Sequence, residues 1–132
     1  MNSVVHFEMP SDDASRMNNF YSNVFGWKTM TLGEEMGNYV LATTTETDEK
    51  GMIKNSGAIN GGFFPRPADG AGMGPSLVIG VDDLQAAMHD ITAHGGQLLG
   101  EPMEIPGYGT VISFIDTEGN RLSCIQPIMP MQ

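Results

Sequence analysis

Few side chains of this sequence could do chemistry, and two of them stand together in VVHFEM, residues 4–9. Strict alternation places Val5, Phe7 and Met9 on one face of a strand and His6 and Glu8 on the other. Two polar groups on one face need water or a ligand. An imidazole in such a place can exchange a proton near neutral pH. A partly desolvated carboxylate beside it can orient the ring or serve as a second acid or base, so His6 and Glu8 are the candidate catalytic pair. Side chains two apart on a strand lie about 7 Å from each other, so spacing alone does not make them partners. The bland alternatives are a buried histidine satisfied by a neighbour and a carboxylate bonded to backbone donors. His89 and His94 fall on and near the end of a second expected helix and read as surface or helix-terminal groups. Tyr108, in the glycine-rich loop PGYGT, is a candidate to cover a ligand, against the alternative of an exposed loop aromatic. Cys124, the single cysteine, can form no internal disulfide and is expected on the packed face of its strand as a small hydrophobe. No GxxxxGK, HExxH or EF-hand loop occurs, and no GxGxxG stands between a strand and a helix.

The elements that must carry these residues repeat. Val4 to Met9 is a strand that Pro10 is expected to end. Ser11 and Asp12 then offer caps for a helix of about three turns, whose apolar stripe is Ala14, Met17, Phe20, Tyr21 and Val24. Gly26 closes that helix. WKTMTLG, NYVLATTT and the run beginning AINGGFF follow as strands, with TETDEKG as an exposed connection. Residues 65–75, PRPADGAGMGP, can continue neither strand nor helix and read as a linker. The pattern then starts again. SLVIGV is a strand, Asp82 and Asp83 supply a cap, and Leu84, Ala87, Met88 and Ile91 form a second stripe. After Gly95 and Gly96 come QLLG as a strand, EPMEIPGYGT as an irregular loop, TVISFID as a strand, DTEGN as a turn and RLSCIQP as the last strand. Each half is strand, helix and about three strands, which predicts an α+β fold of two paired modules.

Composition narrows the partners. The 132 residues carry 16 Asp and Glu against 6 Lys and Arg, a net charge of -10. The basic residues are scattered, at Arg16, Lys28, Lys50, Lys54, Arg66 and Arg121, and form no footprint for a phosphate backbone or an anionic membrane. Nucleic-acid and membrane partners are therefore not expected. No run of 18 apolar residues occurs, and the opening MNSVVHFEMP has no basic leader, so a cytoplasmic location is the expectation. Forty per cent apolar residues suffice for one cored domain.

The strings HFEMPSDDASRMNNFYSNVFGWK, VDDLQAAMHDITAHGGQLLGEP and GYGTVISFIDTEGNRLSCIQ together resemble the glyoxalase, bleomycin-resistance and extradiol-dioxygenase superfamily, the vicinal oxygen chelate proteins, over residues 3–127. The resemblance implies two βαβββ modules, about 3–64 and 76–127 around the linker 65–75. They would form one open, cupped, mixed sheet with the helices outside, in a homodimer. In metal-dependent members, ligands come from the first and last strands of each module. His6 matches the opening position of the first module. Ser76 and Ser123 fall at the opening and closing positions of the second, where histidine and glutamate would be expected, and Asn60 is the only candidate side chain at the fourth position. Three of the four positions thus lack a usual ligand, and serine hydroxyls are poor substitutes for histidine or carboxylate.

No cofactor is therefore expected. A divalent metal would need an atypical site built on His6, and metal-dependent lyase or dioxygenase chemistry stands only as an alternative. The sequence reads as a glyoxalase-like protein that binds a small organic molecule, with Asn60, Ser76, Tyr108 and Ser123 as candidate ligand contacts. The competing reading is a lyase- or isomerase-class enzyme with His6 as base and Glu8 as orienting or second acid/base group. A purely structural or interaction domain is the third.

Overall fold

The computed structural model describes residues 1–128. The elements run β1 (Val4–Ser11), α1 (Ala14–Phe25), β2 (Lys28–Thr31), a 3-10 turn (Glu34–Met36), β3 (Val40–Thr43) and β4 (Asn60–Pro65). Then come β5 (Ser76–Gly80), α2 (Leu84–Ala93), β6 (Gln97–Ile105), β7 (Gly109–Ile115) and β8 (Arg121–Pro127). This is βαβββ twice. The strands make a mixed eight-stranded sheet in the order β2-β3-β4-β1-β5-β8-β7-β6. β1 pairs in parallel with β4, and β5 with β8, as a helical crossover after the first strand of each module requires. Two compact units divide the chain, His6–Pro75 and Met1–Val5 with Ser76–Gln132.

In the unit of residues 6–75, the core lies on the Phe7 and Met9 face of β1. Val40, Ala42 and Phe63 are buried there, with Phe7, Met9, Met17, Tyr21 and Trp27 packed around them. Tyr21 stacks on Trp27 at 4.6 Å between ring centroids, and both rings lie against Phe63, which has no exposed surface. Burying such a ring contributes about 2 to 3 kcal/mol. Only part of the expected helical stripe reaches this core. Met17 and Tyr21 do, but Phe20 and Val24 are 54 % and 56 % exposed.

Three local expectations are corrected. Pro10 does not end β1, which runs on to Ser11. The Arg66 N–H donates to the Ser11 carbonyl at 2.9 Å. Alternate residues bond on opposite sides, so the missing N–H of Pro10 falls on the side away from β4. The cap moves accordingly. Asp13, rather than Ser11 or Asp12, accepts from the Arg16 N–H at 3.0 Å, because Ser11 is still in the strand. Residues 101–105, expected as loop, continue β6; the register slips between Leu99 and Met103, with Gly100 at φ 70. A bulge is the reason the alternation there is hard to see. Residues 65–75 are held by Arg66, whose side chain donates to Asp12 at 2.9 Å and to the Met73 carbonyl at 2.6 Å.

In the second unit, Val81, Leu84, Ile112, Phe114 and Cys124 form the core, with Ala87, Met88 and Ile91 of α2 packed on it, as the stripe predicts. Asp83 caps α2 through the Ala86 N–H at 3.0 Å. Cys124 is 2 % exposed, and burial raises its thiol pKa, which keeps it protonated and unreactive.

Candidate functional site

The site is built on the other face of the first unit. His6 and Glu8 stand on β1 opposite Asn60 and Gly62 of β4, and Gly62 stands opposite Leu41 of β3. Both polar side chains therefore lie on the face away from α1, as alternation predicts. Each is partly buried. The residue that joins them is one the sequence reading did not single out. Tyr39 directly precedes β3, and its hydroxyl lies 3.0 Å from His6 Nε2. That hydroxyl is also hydrogen-bonded to the Glu8 carboxylate.

Gly62 makes this reach possible. A Cβ at position 62 would collide with the Tyr39 phenol, so the ring crosses β4 flat over a backbone that has no side chain. Gly61 does the same service for the opposite face, where a Cβ would meet the Phe7 ring. The paired glycines of INGG thus seat two aromatic rings, one on each side of β4.

The electrostatics fix the protons. Burial pulls the His6 pKa down from 6.5 to about 4, so the imidazole is neutral at physiological pH. Tyr39 is pushed well above the ordinary tyrosine value, first by burial and then by the charge and hydrogen bond of Glu8. A phenol has one proton, and an ionised carboxylate only accepts. Tyr39 therefore donates to Glu8, and His6 must donate through Nε2–H to the Tyr39 oxygen. This sets the histidine tautomer and leaves Nδ1 as a lone-pair acceptor.

Asn60 borders this group but is partly spent. Its side-chain oxygen accepts the N–H groups of Thr44 and Thr45 at 2.8 and 3.0 Å, holding the chain that leaves β3. That pairing also assigns the amide orientation, since backbone N–H groups need the oxygen. Its Nδ2 remains a donor. The other expected contacts belong to the second unit. The Ser76 hydroxyl donates to the Arg121 carbonyl at 2.8 Å, the Ser123 and Ser113 hydroxyls pair at 2.9 Å, and Tyr108 stands exposed in the β6–β7 turn. His89 and His94 are exposed.

The donor set can be tested against a divalent cation. Among the described residues no three of His, Cys, Asp and Glu gather in one place. His6 Nε2 and Glu8 both bond to Tyr39, and the Asn60 oxygen bonds to backbone. Ser76 and Ser123 are engaged with a carbonyl and a second hydroxyl. These donors do not compose a site for such an ion.

Comparison with known proteins agrees with this architecture. A 127-residue match at 29 % identity joins the chain to a glyoxylase-like domain-containing protein of Didymella fabae, covering 91 % of each chain. A lactoylglutathione lyase of Haemophilus influenzae is 27 % identical over 125 residues, 93 % of this chain and 91 % of that one. Among solved structures, methylmalonyl-CoA epimerase of Streptomyces coelicolor in complex with 2-nitronate-propionyl-CoA superposes with a TM-score of 0.70. It is 20 % identical, covering 96 % of this chain and 97 % of that one. The epimerase of Mycobacterium tuberculosis gives 0.68 at 15 % identity, over 96 % and 88 %. At such identities the structures speak for the fold alone. A family model matches residues 3–123, and the chain belongs to the Glyoxalase/Bleomycin resistance protein/Dioxygenase superfamily.

Proposed function

We propose that this chain binds a small organic molecule against the His6, Tyr39 and Glu8 face of residues 6–75, without a resident metal. The observation that carries the reading is the continuous hydrogen-bonded chain from His6 through Tyr39 to Glu8 on a partly buried sheet face. Three polar groups that satisfy one another can be buried under a ligand at little cost, whereas isolated ones could not. Asn60 joins them as a neutral donor at the border.

A second reading, proton transfer, is favoured by the carboxylate at one end of that chain. His6, with its pKa at about 4, is a weak base near neutral pH. The base role therefore passes to Glu8, with Tyr39 and His6 as neutral donors that stabilise whatever charge develops.

The test is a saturation-transfer NMR screen of small organic fragments against wild type and His6→Ala, with each hit then incubated in D2O. Binding should weaken at least about tenfold in the variant, the equivalent of one lost hydrogen bond in a buried site. Hits that bind the variant equally well, or no hits at all, would refute the site. A hit that keeps its C–H protons fits a binding protein. One that loses them with wild type but not with Glu8→Gln makes the protein an enzyme.

A further inference from the structure

The residues that flank the polar group give its ligand a length and a direction. This step rests on the binding reading above and narrows it to a chemical class. Register carries the argument. Glu8 stands opposite Gly62, Gly62 opposite Leu41 and Leu41 opposite Met30, while His6 stands opposite Asn60 and Thr43 opposite Lys28. Asn60 precedes Gly62 by two residues and Thr43 follows Leu41 by two, so all of these lie on one face in two adjacent rows about 7 Å apart. The rows differ in kind. One runs from Glu8 over the Tyr39 ring, which takes the place of a side chain at Gly62, to Leu41 and Met30. The other is polar throughout, from His6 through Asn60 and Thr43 to Lys28.

Leu41 and Met30 are not part of the core. The buried cluster of this unit gathers apolar side chains of the same strands on the α1 face, and neither residue takes part in it. Leu41 is half-buried and Met30 is 58 % exposed. An aliphatic pair that continues from an aromatic ring, beside a polar row, suits an apolar body with polar ends. Lys28 closes the polar row. It is the only Lys or Arg in the four strands of this unit, and among the described residues it has no ion-pair partner. Three strand spacings of about 4.8 Å set its backbone about 14 Å from that of β1. Glu8, whose charge raises the Tyr39 pKa, stands on β1 at the other end. A small anionic group is therefore favoured at the β2 end of the face and disfavoured at the β1 end.

We infer that this face takes an elongated ligand whose apolar body lies over Tyr39, Leu41 and Met30, with a neutral polar group at the His6 end and a carboxylate or similar small anion toward Lys28. Length follows from the span of the apolar row, and direction from the two charges at its ends.

Titration of 15N-labelled protein at pH 7 with three probes tests this. They are 4'-hydroxybiphenyl-4-carboxylate, which has every feature, its carboxamide, which lacks the charge, and 4-hydroxybenzoate, which lacks the length. Binding is read at the Met30, Leu41 and Gly62 amide signals. The biphenyl acid should bind at least about tenfold more tightly than 4-hydroxybenzoate, because its second ring covers Leu41 and Met30. It should exceed its carboxamide by about threefold, the worth of one exposed charge pair. Lys28→Gln should remove that preference and leave the carboxamide affinity unchanged. Met30→Ser, at an exposed position where folding is not at stake, should weaken both biphenyl compounds at least about threefold. Equal affinity for the long and the short acid would overturn the inference, as would a charge preference that survives in Lys28→Gln and so comes from another cation, such as Lys50. In both cases binding that is lost in His6→Ala leaves the binding reading standing. If no probe moves these signals, or His6→Ala binds all three as well as wild type does, the binding reading itself fails and the inference with it.

Discussion

Replacing His6 with glutamine should change how stability depends on pH, and the size of the change follows from the burial of one ring. The unfolded chain takes up a proton on this histidine near 6.5, while the folded chain resists until about 4. Between those values the unfolded state binds more protons, so unfolding becomes easier as pH falls through the window and levels off below about 4. At 1.36 kcal/mol per pKa unit the full interval is worth about 3 kcal/mol, and partial exposure of the side chain lowers this to about 2 to 3 kcal/mol. His6→Gln retains an N–H for Tyr39 and has no such titration. Urea unfolding followed by Trp27, the single tryptophan, stacked on Tyr21, reads the difference directly. At pH 7 wild type should be at least as stable as the variant, and by pH 4 it should have lost about 2 to 3 kcal/mol relative to it. Asp116 does not confuse the comparison. Its pKa is lowered by the Asn120 side chain and nearby backbone N–H groups, so its contribution is lost only below the ordinary value of 3.8, equally in both proteins. Parallel curves, within about 0.5 kcal/mol from pH 7 to 4, would refute the claim that the imidazole is held neutral by burial.

Other outcomes follow from the same geometry. Gly62→Ala puts a methyl group where the Tyr39 phenol lies. It should displace the ring, cost about 1 to 3 kcal/mol in urea unfolding and abolish the His6 contact seen in NMR, while Gly62→Ala/Tyr39→Ala should recover much of that stability. Asp13→Ala and Asp83→Ala remove the caps of α1 and α2 and should each lower stability by about 1 kcal/mol, independently, as measured by thermal unfolding. Cys124 should resist a thiol reagent in the folded protein and react on unfolding, because it is buried and its pKa is raised.

Much of this fold is legible in the sequence because its signals are local. The two helices are announced by aspartates before apolar stripes, and the paired modules by the recurrence of strand, helix and three strands. The alternation in VVHFEM assigns the faces of β1 correctly. The relation that makes the site is not local. Tyr39 meets His6 across 33 residues of sequence, through a gap that exists only because Gly62 has no side chain. A paired glycine inside a strand was the available signal, since such a pair marks a close approach, but it does not say which ring approaches. The narrower stripe of α1 has a similar cause. Helical periodicity shows which residues share a face and not what packs against each of them, so Phe20 and Val24 fall on the apolar stripe while more than half exposed. At β6 the bulge near Gly100 breaks the period of two that would have extended the strand.

The claim on which the site and its proposed function both depend is that the His6 proton sits on Nε2. Long-range 1H–15N correlation of the histidine rings at pH 7 measures this directly. The account predicts a neutral His6 with a protonated Nε2 and an unprotonated, pyridine-type Nδ1, a pattern loosened to a mixture of tautomers in Tyr39→Phe. A charged ring, or a proton on Nδ1 in the wild-type protein, would contradict it.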